Sequence, residues 1–208
     1  MFAAGFLGKA VRNGVLALTA LALAIPAAAQ MRTEGYKFLK AVEDKKGSEV
    51  NDMLAAPGAT VVNSRDLSTN RTALHIVVDR RDQTWLEFLL KKGANPNLAD
   101  NKGVTPLLLA CRSGFISGVE ALVKAGARVD DANSAGETPL MSAVHSRNVP
   151  LVRALLQAGA DPDRTDSTGR SARDYAREDG PQNLILAEID KHANAAGAKR
   201  AATYGPSL

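Results

Sequence analysis

The chain has 208 residues, with 26 Lys plus Arg against 22 Asp plus Glu, three histidines and one cysteine. Two of the cations, Lys9 and Arg12, stand at the very start, so the remainder carries a net of +2 (24 − 22), a balance that offers no electrostatic footprint for nucleic acid or an anionic membrane. A single cysteine, Cys111, excludes an intrachain disulfide, and an ordered fold must therefore rest on packing.

After Lys9 and Arg12 comes an apolar run from Val15 to Ile25 and then Pro26-Ala27-Ala28-Ala29, the order of a secretory signal peptide cleaved after Ala29. The run falls short of the roughly 20 residues that a spanning helix needs, which favours removal of residues 1–29 over their retention as a membrane anchor. No cysteine follows the run, so a lipid anchor is not indicated. The expected destination is the periplasm of a Gram-negative bacterium or the exterior, and no stable membrane insertion is expected after cleavage.

Residues 33–66 read as an opening unit. Tyr36, Phe38, Leu39 and Val42 have helical spacing, and Val50, Met53 and Leu54 stand 36 residues before Leu86, Leu89 and Leu90. Downstream, a constant step of 33 residues takes over: Thr72-Ala73-Leu74-His75, Thr105-Pro106-Leu107-Leu108, Thr138-Pro139-Leu140-Met141 and the weaker Ser171-Ala172-Arg173 follow one another (105 − 72, 138 − 105, 171 − 138). Gly93-Ala94, Gly126-Ala127 and Gly159-Ala160 keep the same step. The three-residue excess of the first interval falls between Ala55 and Thr72, which predicts a longer first hairpin.

Each threonine before an apolar run predicts a helix N-cap, and proline at the next position removes only an N–H that would have no helical partner there. Each glycine after the second run predicts a left-handed helix end. Gly114 marks the reversal between the two helices of its unit, and Arg81 and Arg147 must take the same role at some cost, because positive φ is uncommon without glycine. The second helices repeat Leu86, Leu89, Leu90; Val119, Leu122, Val123; and Val152, Leu155, Leu156, an apolar stripe expected in the core. Trp85 stands one period before Gly118, a large residue beside a small one, which predicts interlocking of adjacent helices. Cys111 shares its place with Val78 and Val144 and reads as a buried small hydrophobe.

The last unit, residues 166–192, mixes Leu184, Ile185 and Ile189 with Glu188, Asp190 and Lys191, so one side of its second helix is expected to face water as a terminal cap. Residues 193–208 show no apolar period and read as a flexible tail. Chemistry is poorly supported. His75, His145 and His192 lie far apart, and no nucleophile elbow, phosphate loop or paired-histidine zinc motif is present. His75 is placed to hydrogen-bond with Thr72 one turn earlier. Asp161 to Asp166 imitates the start of a calcium loop but lacks its glycine. No catalytic residue, metal ligand or cofactor is expected.

The 33-residue step, the Thr-Pro-Leu starts and the Gly-Ala ends resemble the ankyrin repeat, a unit of two helices and a β-turn. The resemblance covers roughly Thr33 to His192. It implies an all-α solenoid of about five helix-turn-helix units with β-hairpin loops and degenerate terminal units, near 33–66, 67–99, 100–132, 133–165 and 166–192, within a domain spanning 30–192. In that family the hairpin tips and inner helices bind other proteins. The positions that correspond to its contacts are Arg71, Asp79 and Arg80; Asn101, Lys102, Val104, Arg112 and Ser113; Ser134, Glu137, His145 and Ser146; and Ser167, Thr168, Arg170 and Glu178. Leu108 and Met141 depart from the family's histidine. The resemblance thus implies a non-catalytic, monomeric module that binds another protein, as a scaffold or as an inhibitor or immunity-type partner of an envelope enzyme. An enzyme or small-ligand binder whose site the sequence hides is the alternative.

Overall fold

A computed structural model describes residues 27–55, 60–178, 180 and 183–192, with side chains from residue 33 onward. The leader reading, apart from Ala27–Ala29, and the tail reading lie outside the described residues. Helices come in antiparallel pairs: α1 (Ala27–Glu43) with α2 (Gly47–Ala55), α3 (Ala73–Asp79) with α4 (Gln83–Lys91), α5 (Pro106–Arg112) with α6 (Ile116–Lys124), and α7 (Pro139–His145) with α8 (Val149–Gln157). A fifth pair joins α9 (Ala172–Glu178) to α10, residues 184–192. First helices stack on first helices and second on second, an all-α solenoid with no strand among the described residues.

Local chemistry explains the step. Thr105 Oγ1 accepts from Leu108 N–H and Thr138 Oγ1 from Met141 N–H, both at 3.2 Å, while Pro106 and Pro139 open their helices. The Ser-Ala-Arg start of α9 also caps itself: Ser171 N–H donates to Asp174 Oδ2 at 3.0 Å, and Asp174 N–H returns a bond to Ser171 Oγ at 3.1 Å. Positive φ recurs at the predicted places, at Gly93, Gly126 and Gly159 after the second helices and at Arg81, Gly114 and Arg147 in the reversals. Lys45 belongs to the second series, 36 residues before Arg81 (81 − 45). A third series, Asn70, Gly103, Gly136 and Gly169, sits in the hairpins.

The hairpins are tight turns with single antiparallel bridges, Arg65 to Thr72 and Thr165 to Ser171. One backbone bond links each hairpin to its predecessor: Asn101 N–H to Thr69 C=O at 2.9 Å, Ser134 to Lys102 at 3.0 Å and Ser167 to Ala135 at 3.0 Å. That approach demands glycine at two positions. A Cβ on Gly103 would lie 2.9 Å from Ser134 N, and one on Gly136 would lie 2.8 Å from Asp166 Cα, whereas Gly169, where the stack of hairpins stops, faces open space. The first hairpin bond closes from Asp66 to Arg71 where the next closes from Asp100 to Val104, one residue shorter, so it is longer as expected. Before it the one-turn 3-10 helix η1 (Val61–Asn63) takes up more of the chain.

Packing corrects several details. Tyr36 is 64% exposed, although its equivalent Thr72 is buried, whereas Phe38, Leu39 and Val42 are core. Leu90 and Val123 are half-buried, since the stripe turns toward the outside there, while Leu86, Leu89, Val119, Leu122, Val152 and Leu155 are buried. Gly118 makes room for Phe115, whose Cδ1 would lie 2.3 Å from an added Cβ, and Trp85 packs edge-on against Phe88 instead. Glu188 is buried, not water-facing, because Arg153 grips it with two bonds of 2.9 and 3.2 Å that hold α10 on α8. Leu184 is exposed, as the capping role requires. No described helix is long and apolar enough to cross a membrane.

Candidate functional site

The face shared by the hairpins and the first helices carries two rows of side chains at 33-residue steps. Arg71, Val104, Glu137 and Arg170 stand where the hairpins return to the first helices, and Asp79, Arg112, His145 and Glu178 stand at the ends of those helices. Ion pairs join the rows, Arg71 with Asp79 and Arg170 with Glu178 inside one unit, and Arg112 with Glu137 across two. Asn133 Nδ2 reaches the same Glu137 carboxylate at 3.0 Å. Half-open pairs of this kind contribute about 1 kcal/mol at most, so they decide where charge sits more than whether the chain folds.

His145 lies exposed against the ring of Tyr175, centroids 4.4 Å apart at 67°. The Arg170 guanidinium covers Tyr175 at 4.4 Å, and the Tyr175 hydroxyl donates to Asp166 Oδ2 at 2.5 Å. Hydroxyls of Thr168 and Tyr175 hold the Asp166 carboxyl well below its usual range. Sequence reasoning did not single out Tyr175. A signal existed, for Tyr175 stands two periods after Leu109 and three after Ile76 (175 − 109 = 66, 175 − 76 = 99), both half-buried in first helices.

The predicted contact residues divide. Val104 is buried, and its carbonyl receives the Nε2–H of His75 at 2.9 Å, so it belongs to the stack and not to the surface. Arg80 turns to the preceding unit, donating to the carbonyls of Val42 at 2.8 Å and Glu43 at 3.0 Å. The hydroxyls of Ser113 and Ser146 bond back to Ala110 and Ala143 of their own helices. At the tips, Asn101 binds Ser68 C=O at 2.6 Å and Ser134 Oγ binds Lys102 C=O at 2.8 Å, while Thr168 is tied to Asp166 and Ser167 is exposed. Lys102, Arg112, His145 and Glu178 remain exposed, and Arg71, Asp79, Glu137 and Arg170 lie between and beside them.

His75 is a structural residue. Its Nδ1 accepts from Thr72 N–H at 3.1 Å, so the proton sits on Nε2 and is donated across the interface to Val104. Burial, above all, lowers its pKa. In the fourth unit Met141 Sδ takes the same N–H at 3.4 Å, which shows how a thioether replaces half of the histidine's function. Burial drives the Cys111 thiol well up, as an inert core group requires. The aspartate run is engaged otherwise: Asp163 faces Arg173 at 2.7 Å and Asp166 binds hydroxyls. Among the described residues no cluster of three metal-ligating side chains occurs.

Stacked helix pairs, one hairpin bond per interface and a polar inner face define an α-solenoid of interaction repeats. The family model described as ankyrin repeats in three copies matches residues 7–133 and 74–166, and the chain belongs to the ankyrin-repeat family. It is also 39% identical over 56 residues to ankyrin repeat protein FPV031 of Fowlpox virus (strain NVSL), a stretch covering 27% of this chain and 16% of that protein's length. The family is generally a non-catalytic interaction scaffold, so the chain reads as a protein-protein interaction module.

Proposed function

We propose that the chain is an exported module that binds a protein partner on the hairpin side, as a scaffold for an envelope enzyme or as its inhibitor or immunity-type partner. The observation that carries this reading is the pair of rows, where Arg112, Glu137, His145 and Arg170 come from three units onto one continuous surface beside Tyr175. Interface energy concentrates on arginine and aromatic side chains, and this face supplies both. The charged start, apolar run and Ala27-Ala28-Ala29 support export, with the periplasm or the exterior as destination.

The test uses a photo-crosslinking residue placed singly at Lys102, His145 or Glu120 in the native host. One protein other than a second copy of the chain should be trapped from Lys102 and His145 and not from Glu120 on α6. Trapping of such a protein from Glu120 alone would move the binding surface to the second helices. Intact-mass analysis of the exported protein should give a chain starting at Gln30, and a cytoplasmic chain with an intact leader would overturn the export half of the proposal.

A further inference from the structure

On the opposite side of the stack, α4 and α6 bound an open groove of about 500 Å³. The two helices run in the same direction, since each follows the same reversal one unit apart. Leu90 and Ala121 give the groove apolar surface, and its rims carry Glu87 and Lys91 from α4, Glu120 and Lys124 from α6. Glutamate thus precedes lysine by one turn on both helices. These charges differ from those of the hairpin side. Lys91, Glu120 and Lys124 have no ion-pair partner among the described residues, and Glu87 accepts only from Gln83 at 2.6 Å. The order is also local. The corresponding residues are Asn51 and Ala55 in α2 and Arg153 and Gln157 in α8, with Arg153 already engaged by Glu188.

We infer that this groove is a self-association surface whose occupant is the α4–α6 face of a second copy of the chain. A two-fold axis lying in the plane of the interface and perpendicular to the helices sets α4 on α4 and α6 on α6 in antiparallel, so the glutamate turn of each copy meets the lysine turn of the other. All four rim charges are matched at once. A parallel arrangement would set glutamate against glutamate and lysine against lysine, which is strongly unfavourable. Leu90 and Ala121 supply the apolar area that such a pair covers. The surface lies away from the hairpins, so pairing leaves the proposed partner face open in both copies, and it replaces the expectation of a monomer.

Sedimentation equilibrium on the full chain tests this with a charge exchange. The wild type should show a monomer–dimer equilibrium, and Glu87→Lys with Glu120→Lys should weaken it at least about tenfold through like-charge contact. Lys91→Glu with Lys124→Glu should do the same. An equimolar mixture of the two variants should associate again, because a lysine-only face then meets a glutamate-only face. Far-UV circular dichroism melts confirm that both variants fold, and these exposed positions leave that outcome favourable. A wild type that stays monomeric up to about 1 mM overturns the inference. So does a dimer indifferent to both reversals, or a mixture that fails to associate.

Discussion

The two edges of the stack are held together differently. At the hairpin edge, successive units exchange directed bonds: one backbone bond per hairpin, His75 to Val104, and Arg112 to Glu137. At the outer edge, second helices meet through the buried Leu86, Leu89, Val119, Leu122, Val152 and Leu155. Directed bonds fix the geometry of the hairpin edge, where the proposed partner surface lies. Burial supplies the larger share of stability at the outer edge and asks nothing of the outward-facing charges.

The largest expected effect comes from breaking the outer edge. Leu122→Ala should destabilise the fold by about 2 to 5 kcal/mol in denaturant melts, as loss of a wholly buried leucine does. A loss in the range of ordinary surface changes would mean that α6 does not pack as described. Next comes a matched pair of glycines. Gly136→Ala should cost about 1 to 3 kcal/mol, combining left-handed strain with collision against Asp166 and Ser167, and Gly159→Ala should cost less because its Cβ would meet nothing. Equal costs at both sites would show that the close approach of the hairpins is unimportant. Thr105→Ala should cost about 1 kcal/mol by removing the cap of α5, read from the same melts.

The histidine bridge gives the comparison a pH dependence. His75 has a lowered pKa in the folded state, so below the ordinary histidine value of about 6.5 the unfolded chain binds a proton that the folded chain resists. Stability should fall as the pH drops through that value toward the lowered one. His75→Leu, the residue type at the equivalent Leu108, should flatten the slope in melts taken across that interval. An unchanged slope would assign the effect to other groups. The smallest effect on stability belongs to the inner surface: Arg112→Ala with His145→Ala should move the melt by no more than about 1 kcal/mol. The same pair should weaken capture of the native partner at least about tenfold, with Gln157→Ala, exposed on α8, as the unaffected control. Capture that survived the double change would remove these two residues from the binding face.

The fold was largely legible because its signals are local. A threonine cap, a proline at the first helical position and a left-handed glycine each act within a turn, so residues 72, 105 and 138 announce their helices without knowledge of the rest. Arg81 and Arg147 could be placed in positive φ by period alone. Leu90 and Val123 could not be told from Leu89 and Leu122, since an i, i+3, i+4 stripe does not say which of its members turns outward. The candidate surface was legible as a set of positions and less so as a set of exposed side chains.

By itself the sequence determined the 33-residue unit, the limits of its helices and the side of the stack on which Arg112, Glu137, His145 and Arg170 emerge, because repeated caps and glycines impose one backbone path on each unit. Tertiary structure decided which side chains that path leaves free. Val104 is buried and its carbonyl takes the Nε2–H of His75 from the preceding unit, Arg80 is drawn to the carbonyls that end α1, and the buried Glu188 is held by Arg153. Tyr175, equivalent to core-facing Ile76 and Leu109, lies beside His145 only because the fourth and fifth units stack. Burial depends on what packs over a residue, and that is set by neighbours a whole repeat away in the chain.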